Sequence, residues 1–407
     1  MIILIENNGF NYYDEITNNS NIVKGSSSKF HIKDFFKDYF DQFIKDNSHL
    51  NIREAVFTNV VRMLSCKTKD LGYTLFECPK CEKYHVLYHT CKSRFCNSCG
   101  IKYAKERANH VSKVMMDIKH RHITFTIPDT LRHYFRKDRS LLNVLFDAVN
   151  QTLKWIAKGH SKKLNYQFGY ILTLHTFGRS LVFNPHIHAL VTEGVISKHG
   201  KFKEVKYFNY PSLRKSFQLC LLNLLQKRLG DTFYKEKSAL FRHYKKGFYV
   251  HGPSVKENRK FNSNEKIVNY VLRYTGRPAM AESRITSFNK DTLEISYFYE
   301  PHEDDGVKEK DKLGTVYVTE HIYEFIKKLI VHISDDNFKS VRYYGFYSAR
   351  NITYQRKYLS KSKIRLLKLS ASWRVMIKDS FKFDPLLCEC GCYMKINKND
   401  SYYPLRS

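Results

Sequence analysis

The stretch FGYILTLHTFGRSLVFNPHIHALVT, residues 168–192, holds two apolar segments on either side of a Gly178-Arg179 turn. Both segments are rich in β-branched and aromatic residues and have the length of ordinary strands. Because the connection between them is short, residues 168–177 and 181–192 are expected to pair as an antiparallel hairpin. This hairpin is the centre from which the rest of the fold is predicted.

The sequence around the hairpin switches between helical and strand-like periodicity. Further strands are predicted at residues 121–128, 284–288 and 293–299, and helices at 31–46, 52–64, 102–119, 141–157, 211–229, 264–275 and 320–332. Strands and helices mixed in this way indicate an α+β fold with a largely antiparallel sheet flanked by helices. A small helical, cysteine-rich domain is expected to precede that sheet.

The charge of the chain indicates the class of its partner. Lysine and arginine number 69 against 39 aspartate and glutamate, which gives a formal net charge of +30 over 407 residues. An excess of this size predicts a polyanionic partner. No apolar run approaches the ~20 residues that span a bilayer, so nucleic acid is favoured over a membrane surface.

The N-terminus, MIILIENN, has neither a basic region nor an apolar stretch of signal-peptide length. A cytoplasmic protein is therefore expected. Because cytoplasmic thiols stay reduced, the ten cysteines are predicted to be metal ligands or buried apolar residues and not disulfide partners.

Two CxxC knuckles, Cys78-Pro-Lys-Cys81 and Cys96-Asn-Ser-Cys99, are separated by 14 residues. Each knuckle can direct two thiolates at one ion, and two knuckles complete a tetrahedral site of the zinc-ribbon type. The spacing therefore predicts that one structural Zn²⁺ is bound by Cys78, Cys81, Cys96 and Cys99. Because four thiolates leave no open coordination position, this zinc is not expected to be catalytic.

Other candidate ligands lie near the knuckles. Cys91, His85 and His89 fall in the loop between them, where each could replace a ligand, bind a second ion or be an ordinary surface or small apolar residue. Cys66, further upstream, is expected to be a core residue.

The string Asn-Pro-His-Ile-His at residues 184–188 lies inside an apolar strand. Because side chains alternate across a strand, His186 and His188 face the same way and could clamp a divalent metal ion. Spacing alone is a weak signal, since His120 and His122 share it. His175, on the preceding strand, is the candidate third ligand, with a hydrogen-bonded core histidine as the alternative.

Tyr270 and Tyr274 are four residues apart in a segment with helical periodicity that ends at Gly276. Their hydroxyl groups are therefore expected on one helix face, beside Arg273 and Arg277, which could hold a phosphate. Other tyrosine pairs in the chain share this spacing, and an amphipathic helix with its aromatic residues in the core is the alternative interpretation.

Six segments match a known pattern in their order along the chain: the two knuckles, then LHTFGRSLVFNPHIHALVTEG (174–194), YVLRYTGRPAMAESRI (270–285), VRYYG (341–345) and DPLLC (384–388). Together they resemble insertion-sequence transposases of the rolling-circle, two-tyrosine HUH family. The resemblance covers roughly residues 50 to 395. It implies an HUH-type antiparallel sheet preceded by a small helical, zinc-ribbon domain.

The resemblance also implies an activity and roles for individual residues. His186 and His188 would be the paired histidines of the HUH motif, and Tyr270 and Tyr274 the nucleophiles. Such an enzyme cleaves and rejoins single-stranded DNA at mobile-element ends through a 5′-phosphotyrosine, with Mg²⁺ or Mn²⁺ as the catalytic ion and Zn²⁺ as the structural one. The candidate DNA-binding residues are Arg273, Arg277 and Arg284.

The predicted organisation has four regions: an N-terminal extension and helix (1–46), a zinc-binding domain (47–117), the HUH domain (118–300) and a basic C-terminal region (301–407). The tail reads Cys388-Glu-Cys390-Gly-Cys392, where the family often has CxxCG, so a second zinc site is not expected.

Two other functions are compatible with parts of the sequence. A non-catalytic zinc-ribbon regulator that binds nucleic acid would explain the charge and the cysteines. A zinc hydrolase would use the histidine pair but lacks the acidic general base expected beside it.

Overall fold

The structure, a computed structural model, describes residues 29–116, 118–160, 163–197, 199–252, 278–301, 314–348 and 386–403, with residues 351, 374, 375, 378 and 384. Its α-helices are α1 (Ile32–Asp46), α2 (Glu54–Leu64), α3 (Asn97–Val114), α4 (Arg132–Lys137), α5 (Leu142–Gly159), α6 (Tyr210–Leu229), α7 (Tyr234–His243) and α8 (Ile322–Ile330). The helix predicted at residues 264–275 lies outside the described residues.

The strands are β1 (Tyr73–Glu77), β2 (Tyr84–Tyr88), β3 (His120–Thr126), β4 (Gln167–Phe177), β5 (Phe183–Ile196), β6 (Phe202–Glu204), β7 (Val250–His251), β8 (Ile285–Asn289), β9 (Glu294–Tyr299), β10 (Val316–His321), β11 (Val341–Gly345) and β12 (Lys395–Tyr402). They form three sheets. Helices and antiparallel strands are mixed along the chain, so the α+β prediction is confirmed.

The central sheet has the strand order β11-β4-β5-β3-β7, and β6 pairs with β5 outside that path. Its neighbouring strands are antiparallel. The predicted hairpin is present as β4 and β5, in a register that places His175 opposite His186. All residues of β5 are buried, because this strand lies inside the sheet and both of its faces are covered.

The two faces of the central sheet carry different side chains. Ile187 and Ala189 of β5 point into the main apolar core, against α5 and α6. Leu190 points the other way and packs with Val111 of α3. Because alternate residues share a face, His186 and His188 lie on the same face as Leu190.

A second apolar core lies outside the central sheet. Phenylalanines that recur at helical spacing make one side of α1 apolar, and that side packs against α2, α8 and the β8–β10 sheet. Among the residues of this core, Phe36 and Phe43 are fully buried. Burial of each such ring contributes roughly 2 kcal/mol, so α1 is an integral part of the fold.

The described parts of the predicted C-terminal region pack against three different parts of the fold. β10 and α8 join the second core, β11 forms an edge of the central sheet, and β12 pairs with β1. Short strands are marginal alone and gain backbone hydrogen bonds by extending a sheet that already exists, which is why the region is divided. Within the described residues, the helices are too short or too polar to cross a membrane.

Candidate active site and metal centres

Three imidazoles converge on one face of the central sheet. His186 and His188 extend from β5, and His175 extends from β4 opposite His186. One nitrogen from each ring lies within 4.8 Å of the corresponding nitrogen of the other two. The ring centroids of His175 and His186 are each 4.7 Å from that of His188. The structure thus brings together the three histidines that the sequence grouped, which we call the histidine group.

The hydrogen bonding of His186 suits a metal ligand. Its Nδ1 lies 2.7 Å from the carbonyl oxygen of Asn184, so Nδ1 donates a proton and Nε2 is directed towards the group. Metal-binding histidines commonly use their second nitrogen in this way. The Nε2 atoms of His186 and His188 are 3.0 Å apart. That is close to the roughly 3.0 Å between two ligands at right angles about an ion bound at ~2.1 Å.

Residues of β3 support the histidine group from the neighbouring strand. His122 Nε2 is 2.9 Å from His188 Nδ1, and Thr124 Oγ1 is 3.3 Å from the same atom. Such contacts orient a metal-binding ring and fix its tautomer. From the sequence alone, His120-Arg-His122 is only a second string with the same histidine spacing as His186-Ile-His188. The pairing of β3 with β5 places the two strings side by side, so only the register reveals this neighbour.

The histidine group is buried but polar. His175, His186 and His188 expose 6, 2 and 1% of their surface. Among the residues that the structure describes, these three rings therefore have almost no exposed surface. The surroundings are nevertheless not an apolar core, since Thr124 and Thr126 share this face, and Thr126 Oγ1 is buried without a hydrogen-bond partner among the described residues.

Four predicted site residues, Tyr270, Arg273, Tyr274 and Arg277, lie outside the described residues. The fifth predicted residue near them, Arg284, is half-buried. Its Nε donates to the carbonyl oxygen of Phe298 at 2.9 Å, and its Nη2 donates to that of Arg179 at 2.7 Å. These bonds tie β9 to the turn of the β4–β5 hairpin, so Arg284 has a structural contact beside its predicted role in DNA binding.

The described residues on either side of the tyrosine segment are anchored near the histidine group. On one side, His251 of β7 pairs with Thr124, which pairs in turn with His188. On the other side, Arg284 contacts the hairpin turn at Arg179, a few residues from His175 and His186. Residues 251 and 284, on either side of the segment that carries Tyr270 and Tyr274, are thus linked to β3 and to the β4–β5 hairpin, and β4 and β5 carry the histidine group.

Four cysteines converge where α2, α3 and the β1–β2 hairpin meet: Cys66, Cys91, Cys96 and Cys99, which we call the inner cysteine group. The Sγ atom of Cys99 lies 3.5 Å from that of Cys66 and 3.5 Å from that of Cys91. Thiolates at tetrahedral positions ~2.3 Å from a zinc ion are roughly 3.7 Å apart, so these residues fit the metal.

The thiols of the inner cysteine group strongly perturb one another. The contact with Cys91 lowers the pKa of Cys66, and the same contact raises the pKa of Cys91. Cys66, Cys96 and Cys99 are buried. Because adjacent buried thiolates repel one another, a bound cation is needed for all four to ionise together.

Comparisons with known proteins agree with this geometry. A family model described as "Transposase zinc-binding domain" matches residues 35–127, which include the whole inner cysteine group. A second, described as "Putative transposase", matches residues 169–355, which include the histidine group and the tyrosine segment. Both models describe transposases and together they cover most of the chain, so the chain is a transposase with a zinc-binding domain. The transposase also has relatives along most of its length.

One such relative is described as "Transposase for insertion sequence element IS801", from Pseudomonas savastanoi pv. phaseolicola. It is 27% identical over 310 residues, which cover 74% of this chain and 72% of the relative. Another, "Putative transposase y4qJ" from Sinorhizobium fredii, is 24% identical over 341 residues, which cover 78% of this chain and 80% of the relative. No solved structure matches the transposase significantly.

The transposase divides the four predicted zinc ligands between two groups, so the prediction of a single site was wrong. Cys96 and Cys99 belong to the inner cysteine group. Cys78 and Cys81 meet two cysteines of the tail, and these four form the outer cysteine group: Cys78, Cys81, Cys388 and Cys390. The expectation of no second cluster in the tail is corrected as well.

The β1–β2 hairpin explains the division. Cys78 and Cys81 lie at the tip of the hairpin, whereas Cys66 precedes β1 and Cys91 follows β2, at its base. Five residues of strand span roughly 16 Å, too far for the tip and the base to share one ion. The symmetry of Cys66 and Cys91 about the hairpin is the signal that could have identified them. His89, by contrast, contacts Thr74 and the carbonyl oxygen of Leu71.

Proposed function

We propose that this transposase cleaves and rejoins single-stranded DNA at the ends of a mobile element through a 5′-phosphotyrosine intermediate. The observation that carries the proposal is the convergence of His175, His186 and His188. Residues 251 and 284, which flank the tyrosine segment in sequence, contact β3 and the turn of the β4–β5 hairpin. Two relatives that are described as transposases, and that match this chain along most of their length, support the proposal.

The histidine group would hold a divalent ion, Mg²⁺ or Mn²⁺. When bound, such an ion withdraws charge from the scissile phosphate and stabilises the leaving 3′-oxygen. The protein's part is to fix the ligands. The carbonyl of Asn184 sets the tautomer of His186, and His122 orients the ring of His188. Imidazole ligands favour Mn²⁺ over Mg²⁺ at equal concentration.

Tyr270 or Tyr274 would supply the nucleophilic hydroxyl. Its oxygen forms a bond to phosphorus, the 3′-oxygen of the DNA leaves, and the hydroxyl proton is released. The covalent phosphotyrosine keeps the energy of the broken phosphodiester, so the strand can be rejoined without ATP. Two tyrosines allow two strands to be held in succession, with Arg273 and Arg277 as the proposed phosphate contacts.

Single-stranded DNA is the proposed substrate because an internal phosphate of a duplex is poorly presented to a buried site. The net charge of +30 would attract the DNA backbone, and the 58 tyrosines and phenylalanines of the chain offer many rings on which bases could stack. Single-strand preference is therefore the part of the proposal that a substrate comparison tests most directly.

The decisive experiment is detection of a covalent protein–DNA adduct on a denaturing gel. The full chain is incubated with labelled single-stranded DNA from an element end and with Mn²⁺. The double substitution Y270F/Y274F is expected to reduce the adduct at least ~1000-fold, while DNA affinity and zinc content stay unchanged. The matched control is Y84F/Y88F, an exposed pair with the same spacing, which should leave the adduct unchanged.

Two outcomes would overturn this assignment. An adduct that persists in Y270F/Y274F would place the nucleophile elsewhere. Absence of any adduct for the unsubstituted chain across single-stranded and duplex substrates, together with tight DNA binding, would favour the non-catalytic regulator.

The proposed metal role has its own test. H188Q should reduce cleavage at least ~100-fold and abolish its dependence on Mn²⁺ concentration, because one ligand is lost. H243Q, at an exposed position on α7, is the control. Equal Mn²⁺ dependence in H188Q and the unsubstituted chain would show that the ion binds elsewhere.

A further inference from the structure

The outer cysteine group lies across two segments that are far apart in sequence. Cys78 and Cys81 are in the range of the zinc-binding family model, but Cys388 and Cys390 fall outside both matched ranges. We propose that these four residues bind a second Zn²⁺, which fastens the tail to the β1–β2 hairpin and makes one zinc ribbon from the two segments. This inference does not depend on the proposed DNA chemistry.

The distances between the sulfur atoms fit a tetrahedral site. The Sγ atom of Cys78 is 3.5 Å from that of Cys390, and the Sγ atom of Cys81 is 3.6 Å from that of Cys388. Both values are near the roughly 3.7 Å expected about one zinc ion. Each of these contacts joins the hairpin to the tail, over sequence separations of 312 and 307 residues. Neither segment can therefore complete the site alone.

The pairs Cys78/Cys81 and Cys388/Cys390 are the two knuckles of the outer cysteine group. Each is followed by a left-handed residue, although the hydrogen bonds that close the turns span four and three residues. Directly after the second cysteine of each, one residue adopts the left-handed conformation: Glu82 with φ 55° and Gly391 with φ 82°. The N–H of Glu82 donates to the carbonyl of Cys78 at 3.0 Å, and the N–H of Gly391 donates to that of Cys388 at 2.9 Å. Left-handed backbone is unfavourable for a glutamate, so its presence here indicates a turn that the site requires.

The apolar contacts around the site are too few to hold the tail without a further link. The buried residues of this cluster are Phe76, Cys78, Cys388 and Met394. Two of the four are the proposed ligands, so among the described residues the fully buried apolar core is one ring and one methionine, with Leu87, Leu386 and Cys392 partly buried against it. Cores of this size are normally completed by a metal ion or a disulfide. The sulfur atoms of the two segments lie 3.5 and 3.6 Å apart, well beyond the ~2.05 Å of a disulfide bond, which favours metal as the link.

The surrounding contacts hold the knuckles in register. β12 pairs with β1 so that Ile396 lies opposite Phe76 and Lys395 opposite Glu77. The Nζ atom of Lys83 and a carboxylate oxygen of Glu389 form an exposed ion pair across the two knuckles at 2.7 Å. These contacts align the four thiols but are largely solvated, so they contribute little stability on their own.

The test is the zinc content of the full chain, purified under reducing conditions and measured by atomic emission. C390S and C81S should each lose one zinc per chain, and the double substitution should lose no more than one, because both residues serve the same ion. C220S, a half-buried cysteine of α6 outside both groups, is the matched control and should lose none. C392S, beside the knuckle, should also lose none.

A second readout follows the tail itself. Hydrogen exchange of β12 should become at least 10-fold faster in C390S while exchange of the central sheet stays unchanged. If C390S is insoluble, C390H, which keeps a ligand, is measured and should retain the zinc. Unchanged zinc content in C390S and C81S, loss of zinc in C392S, or a disulfide between the two segments in the isolated protein would overturn the proposal.

Discussion

The inner and outer cysteine groups each present four thiols, but the surroundings of the two groups differ. Three members of the inner group are buried, and the group belongs to the core formed by α1, α2, α8 and the β8–β10 sheet. The outer group has two members, Cys81 and Cys390, that reach the surface, and it lies on a small cluster in which four of the described residues are buried. The β1–β2 hairpin separates the two groups.

This difference predicts different roles for the same ligand chemistry. Zinc in the inner group would be part of the core, because the chain segments that supply its ligands also bury the apolar face of α1. Zinc in the outer group would attach the tail to the hairpin and leave the two large cores untouched. The predictions below follow from this contrast and are ordered from the largest expected effect to the smallest.

Removing one ligand from each group should give the largest difference in stability between two variants. Structural zinc binding contributes about 10–16 kcal/mol in zinc-finger peptides, comparable to the whole stability of a domain. C99S is therefore expected to abolish folding of the core formed by α1, α2, α8 and the β8–β10 sheet. C390S should shift the main thermal transition by only a few degrees. Circular dichroism melting of both variants checks this. A C99S protein that melts with the unsubstituted chain would refute the contrast.

Chelation should distinguish the groups by rate. A colorimetric chelator can reach Cys81 and Cys390 directly, whereas the inner group must first open. Zinc is expected to leave in two phases that differ in rate at least ~10-fold, and C390S should lack only the fast phase. A single phase in the unsubstituted chain would mean that both sites are equally protected.

The left-handed turns should tune the outer group alone. Replacing Glu82 by glycine removes about 1 kcal/mol of backbone strain and should tighten outer-group zinc roughly 5-fold. Replacing Gly391 by alanine adds similar strain, although space is available around it, and should weaken zinc by about as much. Competition with a fluorescent zinc indicator measures both. Equal changes in the zinc affinity of the inner group would contradict the assignment of these turns to the outer group.

The smallest effect concerns pH and the helical core around the inner group. Burial lowers the pKa of His332 to about 3, and its Nε2 lies 3.0 Å from the carbonyl oxygen of Leu181 in that core. In the unfolded chain the pKa is ~6.5. Because the unfolded state gains the proton first, this contribution to stability is complete above ~6.5 and is lost as pH falls towards 3.

Lowering the pH from 8 to 6 should therefore reduce the unfolding free energy of the helical core by roughly 0.8 kcal/mol through His332 alone. H332Q should lack this increment. Urea unfolding of both proteins at the two pH values measures the difference, and exchange of β12 at the same pH values shows whether the tail is unaffected. An identical pH dependence in H332Q would show that other groups govern it.

The local sequence of residues 168–192 was sufficient to predict the hairpin at the centre of the main sheet. The apolar composition of residues 168–192 and their short turn predicted the β4–β5 hairpin, and the alternation of side chains along a strand placed His186 and His188 on one face, with His175 opposite them. These features follow from two-residue strand periodicity and a short turn, which act over a few residues, so a sequence contains them in full. The composition likewise indicated the class of partner, because net charge needs no fold.

Tertiary structure alone decided how the cysteines are divided and what supports the histidines. Spacing along the chain paired Cys78 and Cys81 with Cys96 and Cys99, but the β1–β2 hairpin holds them at opposite ends and brings Cys388 and Cys390 to its tip. His122 became a neighbour of His188 only through the register of β3 with β5. Which strand joins which edge depends on the apolar surface and open hydrogen bonds that the assembled sheets offer, and no local periodicity encodes that choice.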